Sequence, residues 1–259
     1  MAVKSTLDRI FVLELVRVTE AAAIAAAKLV GKGDEKAADA AAVDSMRNEL
    51  NNLAIKGRIV IGEGERDEAP MLYIGEEVGT GEGPEIDIAL DPLEGTTIAA
   101  KAMQNALAVV ALAEKGNLLN APDVYMDKIA VGPGFADGIV DLDKSVDENI
   151  IAVASAKGRQ VSDMLVCVLD RPRHADMIKK IRATGARVKL IGDGDVAGII
   201  DTTDPDTSVD LYMGSGGAPE GVLAAAALRC TGGQIQGRLT FRNDTERSRA
   251  RKWGIKDLD

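Results

Sequence analysis

Residues 164–200, MLVCVLDRPRHADMIKKIRATGARVKLIGDGDVAGII, alternate short apolar runs with longer segments in which apolar residues recur at helical spacing. The short runs are rich in Val, Leu and Ile and end at turn-forming residues, which is typical of buried strands. A strand, a helix and a further strand in succession predict right-handed crossovers and a parallel sheet with helices on its faces. This part of the chain is therefore predicted to be an α/β layer domain.

The alternation extends in both directions, from about residue 145 to about residue 233, and it ends upstream where a different pattern begins. There, two predicted helices, over residues 6–30 and about 37–53, precede short β-branched runs closed by turns. We predict two α/β domains: a metal-binding α+β domain, 1–144, and an α/β domain with substrate-binding loops, 145–259. The strands predicted upstream are RIVIGEG, EIDIALDP, NALAVVALAEKG and KIAVGPG.

The composition excludes several classes of partner. The chain has 259 residues and a formal net charge of -10, which disfavours nucleic acid and anionic membranes because both select basic surfaces. No apolar run reaches the roughly 18 residues that a membrane span requires. The two cysteines, Cys167 and Cys230, lie among apolar neighbours and are expected to be reduced core thiols, so we predict a cytoplasmic protein.

The stretch DIALDPLEGTT, residues 87–97, carries the first candidate site. Asp91 is predicted to end a strand that the next residue, a proline, stops, and Glu94 follows just before Gly95 and Thr96 open a helix. Hard divalent cations prefer such carboxylate oxygens, and phosphate groups bind the N–H groups at a helix start. The alternative is an ordinary strand-to-helix turn capped by Asp91 and Thr96.

Three further carboxylates stand at comparable positions. Glu63 follows a strand in VIGEGERDEAP, and the glycines on either side, Gly62 and Gly64, are expected to let the backbone approach a ligand. Asp39 lies near a helix start, where a first-turn carboxylate is also favoured by the helix dipole. Glu220 follows a glycine-rich loop predicted after residue 213, in the first turn of a helix. The alternative for Glu63 is a solvated acidic turn that it shares with Glu65, Asp67 and Glu68.

Two stretches after strands suit a phosphosugar. DRPRHAD offers Arg171 and Arg173, whose guanidinium groups match phosphate oxygens, and LIGDGDV offers Asp193 and Asp195 as acceptors for sugar hydroxyls. The single histidine, His174, is interpreted as a polar residue at a helix start, because no Ser or Cys nucleophile motif accompanies it. A phosphate-binding P-loop motif and a dinucleotide-type G-x-G-x-x-G are both missing, which disfavours nucleotide hydrolysis and hydride transfer.

These stretches together resemble a known family. DPLEGTT after a strand, preceded by IGEGE, is similar to the metal-binding motif of the lithium-sensitive superfamily of inositol monophosphatases and fructose bisphosphatases. The longer motifs resemble class II fructose-1,6-bisphosphatase, the GlpX type, and the likeness runs from about Thr19 to Arg238. The resemblance implies a layered αβαβα sandwich. The motifs are KAADAAAV, IVIGEGERDEAPMLYIGE, NAPDVYMDKIAVGPG, RPRH, GDGDVA and GGAPEGV.

The resemblance implies Mn²⁺ or Mg²⁺ as cofactor and hydrolysis of the 1-phosphate of fructose 1,6-bisphosphate, as in gluconeogenesis. Glu63 and Thr96 would be catalytic, with Thr96 orienting the attacking hydroxide. The implied metal ligands are Asp39 and Glu63 for one ion, and Asp91, Glu94 and Glu220 for another. The implied substrate contacts are Glu94, Gly95, Thr96, Tyr125, Arg171, Pro172, Arg173, Asp193, Gly194, Asp195 and Gly217.

Alternatives remain beside this interpretation. The enzyme could also act on sedoheptulose 1,7-bisphosphate in the Calvin cycle, since the two substrates share the phosphorylated ketose end. An inositol-type or nucleotide 3'-phosphatase and an inactive phosphosugar-binding protein are the other hypotheses. The resemblance implies a homo-oligomer, a tetramer or dimer. Relatives often have GDKN where this chain has GDEK, and they usually continue beyond Asp259, which implies a further strand in them.

Overall fold

The computed structural model describes residues 9–64, 71–256 and 258, so Glu65, Asp67 and Glu68 lie outside the described residues. The chain divides into two compact units, Met1–Ala121 and Pro122–Asp259. The functional boundary near residue 145 stays a prediction. The compact units divide earlier because the strand Tyr125–Val131, which we assigned to the first domain, pairs with strands of the second unit.

The first unit begins with two helices, α1 (Arg9–Ala27) and α2 (Glu35–Leu50). Asp34 caps α2, since its carboxylate accepts a hydrogen bond from the Ala37 N–H at 3.0 Å. The cap places Asp39 in the second turn of α2, one turn beyond the first-turn position considered above.

The sheet of the first unit packs one face against these helices. Its strands lie in the order β2-β1-β3-β4, with β1 and β3 parallel and the outer pairs antiparallel. Ile59 and Ile88 belong to the same buried cluster as Met46 of α2, so this helix covers the apolar face of the sheet. The strands are β1 (Lys56–Ile61), β2 (Glu77–Val78), β3 (Glu85–Glu94) and β4 (Leu107–Glu114).

The strand β3 continues past Asp91, so the prediction that the proline ends it was wrong. Asp91 pairs with Val109 and Glu94 pairs with Leu107, which means that β3 uses one residue more than β4 between these pairs. A bulge of this kind tolerates Pro92, because an unpaired position needs no N–H donor. Directly after it comes the short helix α3 (Thr96–Ala100), as predicted.

The sheet of the second unit is mixed. Its strands lie in the order β7-β6-β8-β5-β9, and β6 is parallel to both β7 and β8, which confirms the predicted parallel pairing. The antiparallel pairing of β5 with β8 and β9 was not predicted. The strands are β5 (Tyr125–Val131), β6 (Leu165–Leu169), β7 (Arg187–Ile191), β8 (Leu211–Gly217) and β9 (Gln234–Thr240).

Helices flank this sheet, and the α/β class is confirmed in both units. Ser145 and Glu148 form a capping box at the start of α4, and Gly232 ends α7 in the left-handed conformation with φ 82°. Val153 of α4 and Ile181 of α5 share a buried cluster with Val166 of β6. The helices are α4 (Val146–Ala156), α5 (Ala175–Ala183), α6 (Asp195–Ile200), α7 (Ala218–Thr231) and α8 (Asp244–Lys252).

The glycine-rich stretch 214–217, predicted to be a loop, is the second half of β8. A Cβ atom on Gly216 would lie 2.3 Å from Oδ2 of Asp195, and one on Gly217 would lie 1.9 Å from Oε2 of Glu220. Glycine at these two positions therefore leaves space for two carboxylates that face the strand, and a turn is not needed to explain the glycine-rich sequence.

The two cysteines differ. Cys167 is buried in β6, and burial raises the pKa of its thiol to about 12, as expected of an unreactive core residue. Cys230 is exposed near the end of α7, so the prediction that it is a core thiol was wrong. Among the described residues, no helix combines the length and the apolar character that crossing a membrane would require.

Candidate active site

Asp39 and Glu63 form an acidic pair in the first unit. Burial raises the pKa of both carboxyl groups, and the charge of Asp39 raises the pKa of Glu63 further, to about 7. Ionising both groups therefore costs free energy while no cation is near them. A hard divalent cation would offset this repulsion, and its preferred ligands are carboxylate oxygens, so the pair fits such an ion.

The backbone around Glu63 is held by a neighbouring segment. The Glu63 N–H donates a hydrogen bond to the carbonyl oxygen of Leu72 at 3.1 Å. A Cβ atom on Gly62 would lie 2.1 Å from that same oxygen. Gly62 thus permits a close contact within the chain, whereas the sequence pattern predicted that its small size lets the backbone approach a ligand. This contact fixes Glu63 at the end of β1.

Asp91, Glu94 and Thr96 occupy the bulge and the turn that follows it. Oδ1 of Asp91 accepts a hydrogen bond from the Leu93 N–H at 3.0 Å, and Glu94 is buried with 5% of its surface exposed. Gly95 takes the left-handed conformation, with φ 85°, and so turns the chain sharply from β3 into α3. Thr96 is half-buried as the first residue of α3.

The described residues contain no ready-made cage of three or more carboxylate, imidazole or thiol groups around one point. The structure brings Asp39 and Glu63 into electrostatic contact and sets Asp91 and Glu94 on either side of one bulge. Their roles as ligands stay predictions. A cavity of about 760 Å³ lies elsewhere, around the first residues of β1 and β3, and contains none of the predicted site residues.

In the second unit, Arg171 is tied to the loop after β7. Its Nη1 donates to the carbonyl oxygen of Gly192, and its Nη2 lies 3.4 Å from Oδ1 of Asp193. Pro172 follows as the first residue of a 3-10 turn, where its fixed φ and missing N–H are tolerated. The structure therefore brings three of the predicted substrate contacts together: Arg171, Pro172 and Asp193.

Arg173 is held on the other side by the glycine-rich part of β8. Its Nε and Nη2 donate to the carbonyl oxygen of Ser215 at 3.0 and 2.6 Å. Its guanidinium also lies 5.0 Å from the ring centroid of Tyr125, and that of Arg242 lies 5.2 Å from the same centroid. Two guanidinium groups thus lie near one tyrosine ring, and that of Arg242 is also paired with Glu246, whose Oε1 accepts a hydrogen bond from its Nε at 2.6 Å. Arg242 was not predicted.

His174 links two strands through hydrogen bonds that were not predicted from the sequence. Its Nε2 accepts the Ser215 N–H at 2.8 Å, so its Nδ1–H donates to the Leu169 carbonyl oxygen, also at 2.8 Å. Burial lowers the pKa of this imidazole, which favours the neutral form that both bonds require. His174 therefore joins the ends of β6 and β8 beside Arg173, and no local sequence signal indicates such a link.

Asp195, which is buried, and Glu220, which is half-buried, are two carboxylates that face β8. Oδ2 of Asp195, directly after the left-handed Gly194, accepts a hydrogen bond from Nζ of Lys128 at 2.6 Å. Oε2 of Glu220 has no hydrogen-bond partner among the described residues, and burial raises the pKa of this carboxyl. One ammonium thus faces two carboxylates, so an additional cation near Glu220 would complete the charge balance.

Comparison with known proteins decides the family. A family model described as bacterial fructose-1,6-bisphosphatase, glpX-encoded, matches residues 9–259. The chain belongs to this family. Every motif that carried the resemblance lies inside the matched range, so the fructose-bisphosphatase assignment made from the sequence is confirmed.

The chain is similar to two named Synechococcus enzymes and, more distantly, to a solved structure. A D-fructose 1,6-bisphosphatase class 2/sedoheptulose 1,7-bisphosphatase of Synechococcus sp. (strain RCC307) is 51% identical over 95% of this chain and 73% of its own length. A protein of the same description from Synechococcus sp. (strain JA-3-3Ab) is 52% identical over 88% of this chain and 69% of its own. The crystal structure of extragenic suppressor protein suhB from Bartonella henselae aligns with a TM-score of 0.46 and 14% identity, covering 86% of this chain and 84% of that one.

Proposed function

We propose that this bisphosphatase removes the 1-phosphate of fructose 1,6-bisphosphate, releasing fructose 6-phosphate and inorganic phosphate. The observation that supports the proposal is the pairing of Asp39 with Glu63, because two neighbouring carboxylates with raised pKa would suit a divalent cation. The family match over residues 9–259 supports the choice of substrate. We expect the enzyme to act in the cytoplasm as a homo-oligomer, a dimer or tetramer.

The cofactor would be Mg²⁺ or Mn²⁺, held by carboxylates of the site. When bound, it supplies positive charge that neutralises phosphate oxygens, activates water and stabilises the leaving oxygen. The ligands would be Asp39, Glu63, Asp91, Glu94 and Glu220. Thr96, at the turn after Glu94, would orient the attacking water with its hydroxyl group, and Glu63 would accept a proton from that water.

Arg173 of the second unit would hold the phosphate that does not react. Arg173 is tethered to Ser215 and stacked near Tyr125, so its guanidinium is already ordered before substrate arrives. Binding energy from this remote phosphate would then position the reacting phosphate, which raises kcat as well as affinity. Arg171 and Asp193 would contact the sugar or its phosphate from the neighbouring loop.

The first experiment measures phosphate release from fructose 1,6-bisphosphate by metal-stripped protein, with and without added Mn²⁺ or Mg²⁺. We expect release only with metal and one phosphate per sugar. Arg173→Ala should raise the KM for the bisphosphate, while Arg182→Ala, in the last turn of α5, should leave it unchanged. Failure of the folded protein to release phosphate under either metal would overturn the proposal.

Sedoheptulose 1,7-bisphosphate is the second candidate substrate, because both curated relatives above are named for the two activities. The shared ketose end would occupy the reacting site with either substrate. Comparing kcat/KM for the two bisphosphates decides between a single and a dual activity. Efficient hydrolysis of inositol 1-phosphate instead would favour the monophosphatase hypothesis.

A further inference from the structure

Lys128 lies in the middle of β5, between Gly214 of β8 and Gly237 of β9. Its side chain is completely buried, which is rare for lysine and unfavourable unless a carboxylate compensates the charge. Its ammonium donates to Oδ2 of Asp195 at 2.6 Å, and Asp195 itself is 4% exposed. Water is thus excluded from this ion pair, and the position of each partner depends on the other.

Glycines make the space that this lysine occupies. A Cβ atom on Gly216 would lie 3.3 Å from Nζ of Lys128, and one on Gly221 would lie 3.3 Å from its Cε. Gly216 is in β8 and Gly221 is in α7, so the lysine runs from β5 past both elements to reach α6. A chain that needed only a filled core would place an apolar side chain here.

The partner of Lys128 starts a substrate loop. Asp195 is the first residue of α6 and follows Gly194, whose φ of 82° makes the turn from the loop into the helix. The same loop contains Gly192 and Asp193, which contact Arg171. The hydroxyl of Tyr212 lies 3.4 Å from the same Oδ2 of Asp195. Holding the Asp195 carboxylate therefore holds the loop at its junction with α6.

We propose that Lys128 is a positioning residue of the phosphosugar site, which fixes Asp195 and through it the loop 192–194 beside Arg171. The proposal rests on the proposed function for its substrate, and it adds a residue outside the predicted substrate contacts. Lys128 acts through Asp195 and not by touching the reacting atoms. Its loss should therefore weaken substrate binding more than it slows the chemical step.

The test compares Lys128→Met with a matched variant, Lys157→Met. Lys157 is also paired with a buried carboxylate in the same unit, since its Nζ lies 2.5 Å from Oδ1 of Asp210. Both variants remove an ammonium from a buried aspartate, but Asp210 belongs to no predicted site and keeps a second cation, since Nη1 of Arg159 lies 2.9 Å from the same Oδ1. The melting temperature of each variant measures its general loss of stability, and a positioning effect should appear as a change in KM with Lys128→Met alone.

We expect Lys128→Met to raise the KM for fructose 1,6-bisphosphate about tenfold, with kcat changed less than about threefold, as loss of one charge-assisted bond implies. Lys157→Met should leave the KM unchanged. Lys128→Gln, which keeps a donor for Asp195, should show a smaller rise, and it replaces the Met variant if that does not fold. An equal KM in all variants would overturn the proposal.

Hydrogen exchange separates this proposal from the proposed function. Amides of residues 192–197 and 214–217 should exchange faster in Lys128→Met than in Lys157→Met, measured in the full chain without substrate. If wild-type protein releases no phosphate, the function is wrong, and exchange still decides whether Lys128 orders the loop. If exchange in these segments is unchanged, Lys128 does not position them, whatever the substrate is.

Discussion

At the scale of single residues, Glu94 is the position of the site where we expect substitution to reduce activity most. It is buried at the end of β3, just past the bulge, and it is predicted both to bind a cation and to contact substrate. Glu94→Gln keeps the shape and removes the negative charge, so kcat should fall by about a hundredfold or more, while thermal unfolding stays within a few degrees. Phosphate release at saturating Mn²⁺ measures this. Glu82→Gln, on the exposed surface, is the control, and equal rates in the two variants would contradict the metal scheme.

His174 makes the stability of the second unit depend on pH. Burial lowers the pKa of its imidazole, so the unfolded chain takes up the proton first as the pH falls. The stability that neutral His174 contributes is full above the ordinary pKa of about 6.5 and is lost as the pH falls below it towards the folded value. Denaturant unfolding at pH 7.5 and 5.5 should show a loss in the wild type that is smaller in His174→Gln. An equal loss of stability in both proteins would show that titratable groups other than His174 cause the pH dependence.

At the scale of secondary-structure elements, the junction of β8 with α7 sets the position of Glu220. A Cβ atom on Gly217 would overlap Oε2 of Glu220, the mobile end of a flexible side chain. Gly217→Ala should therefore displace this carboxylate at little cost in stability and raise the metal concentration needed for half-maximal activity about tenfold. Arg229→Ala, at the exposed last turn of α7, is the control. Identical metal dependence in the two variants would remove Glu220 from the ligand set.

The same scale shows what the sequence could predict. Alternating strands and helices predicted the parallel part of the second sheet, because local hydrophobic period reflects which face of each element is buried. The antiparallel pairing of β5 depends on contacts distant in sequence, and the bulge at Pro92 depends on its partner strand. Lys128 and His174 resemble surface residues in the sequence, since only the assembled sheet buries them. Motif resemblance named the predicted ligands but could not show that Gly216 and Gly217 accommodate carboxylates.

At the scale of the whole molecule, the excess of negative charge should favour the binding of cations to the folded protein. The chain has 41 acidic and 31 basic residues, and two acidic side chains of the predicted site, Glu94 and Asp195, are buried. A cation that binds only the folded state should stabilise it by about 2.7 kcal/mol at a hundred times its Kd, and the melting temperature of metal-stripped protein should rise accordingly with Mn²⁺. Glu63→Gln should lose most of this rise, because it removes one carboxylate of the pair with Asp39. Sodium chloride at equal ionic strength is the control: if it produces the same rise, the stabilisation comes from screening of the net charge, and the acidic pair is not a metal site.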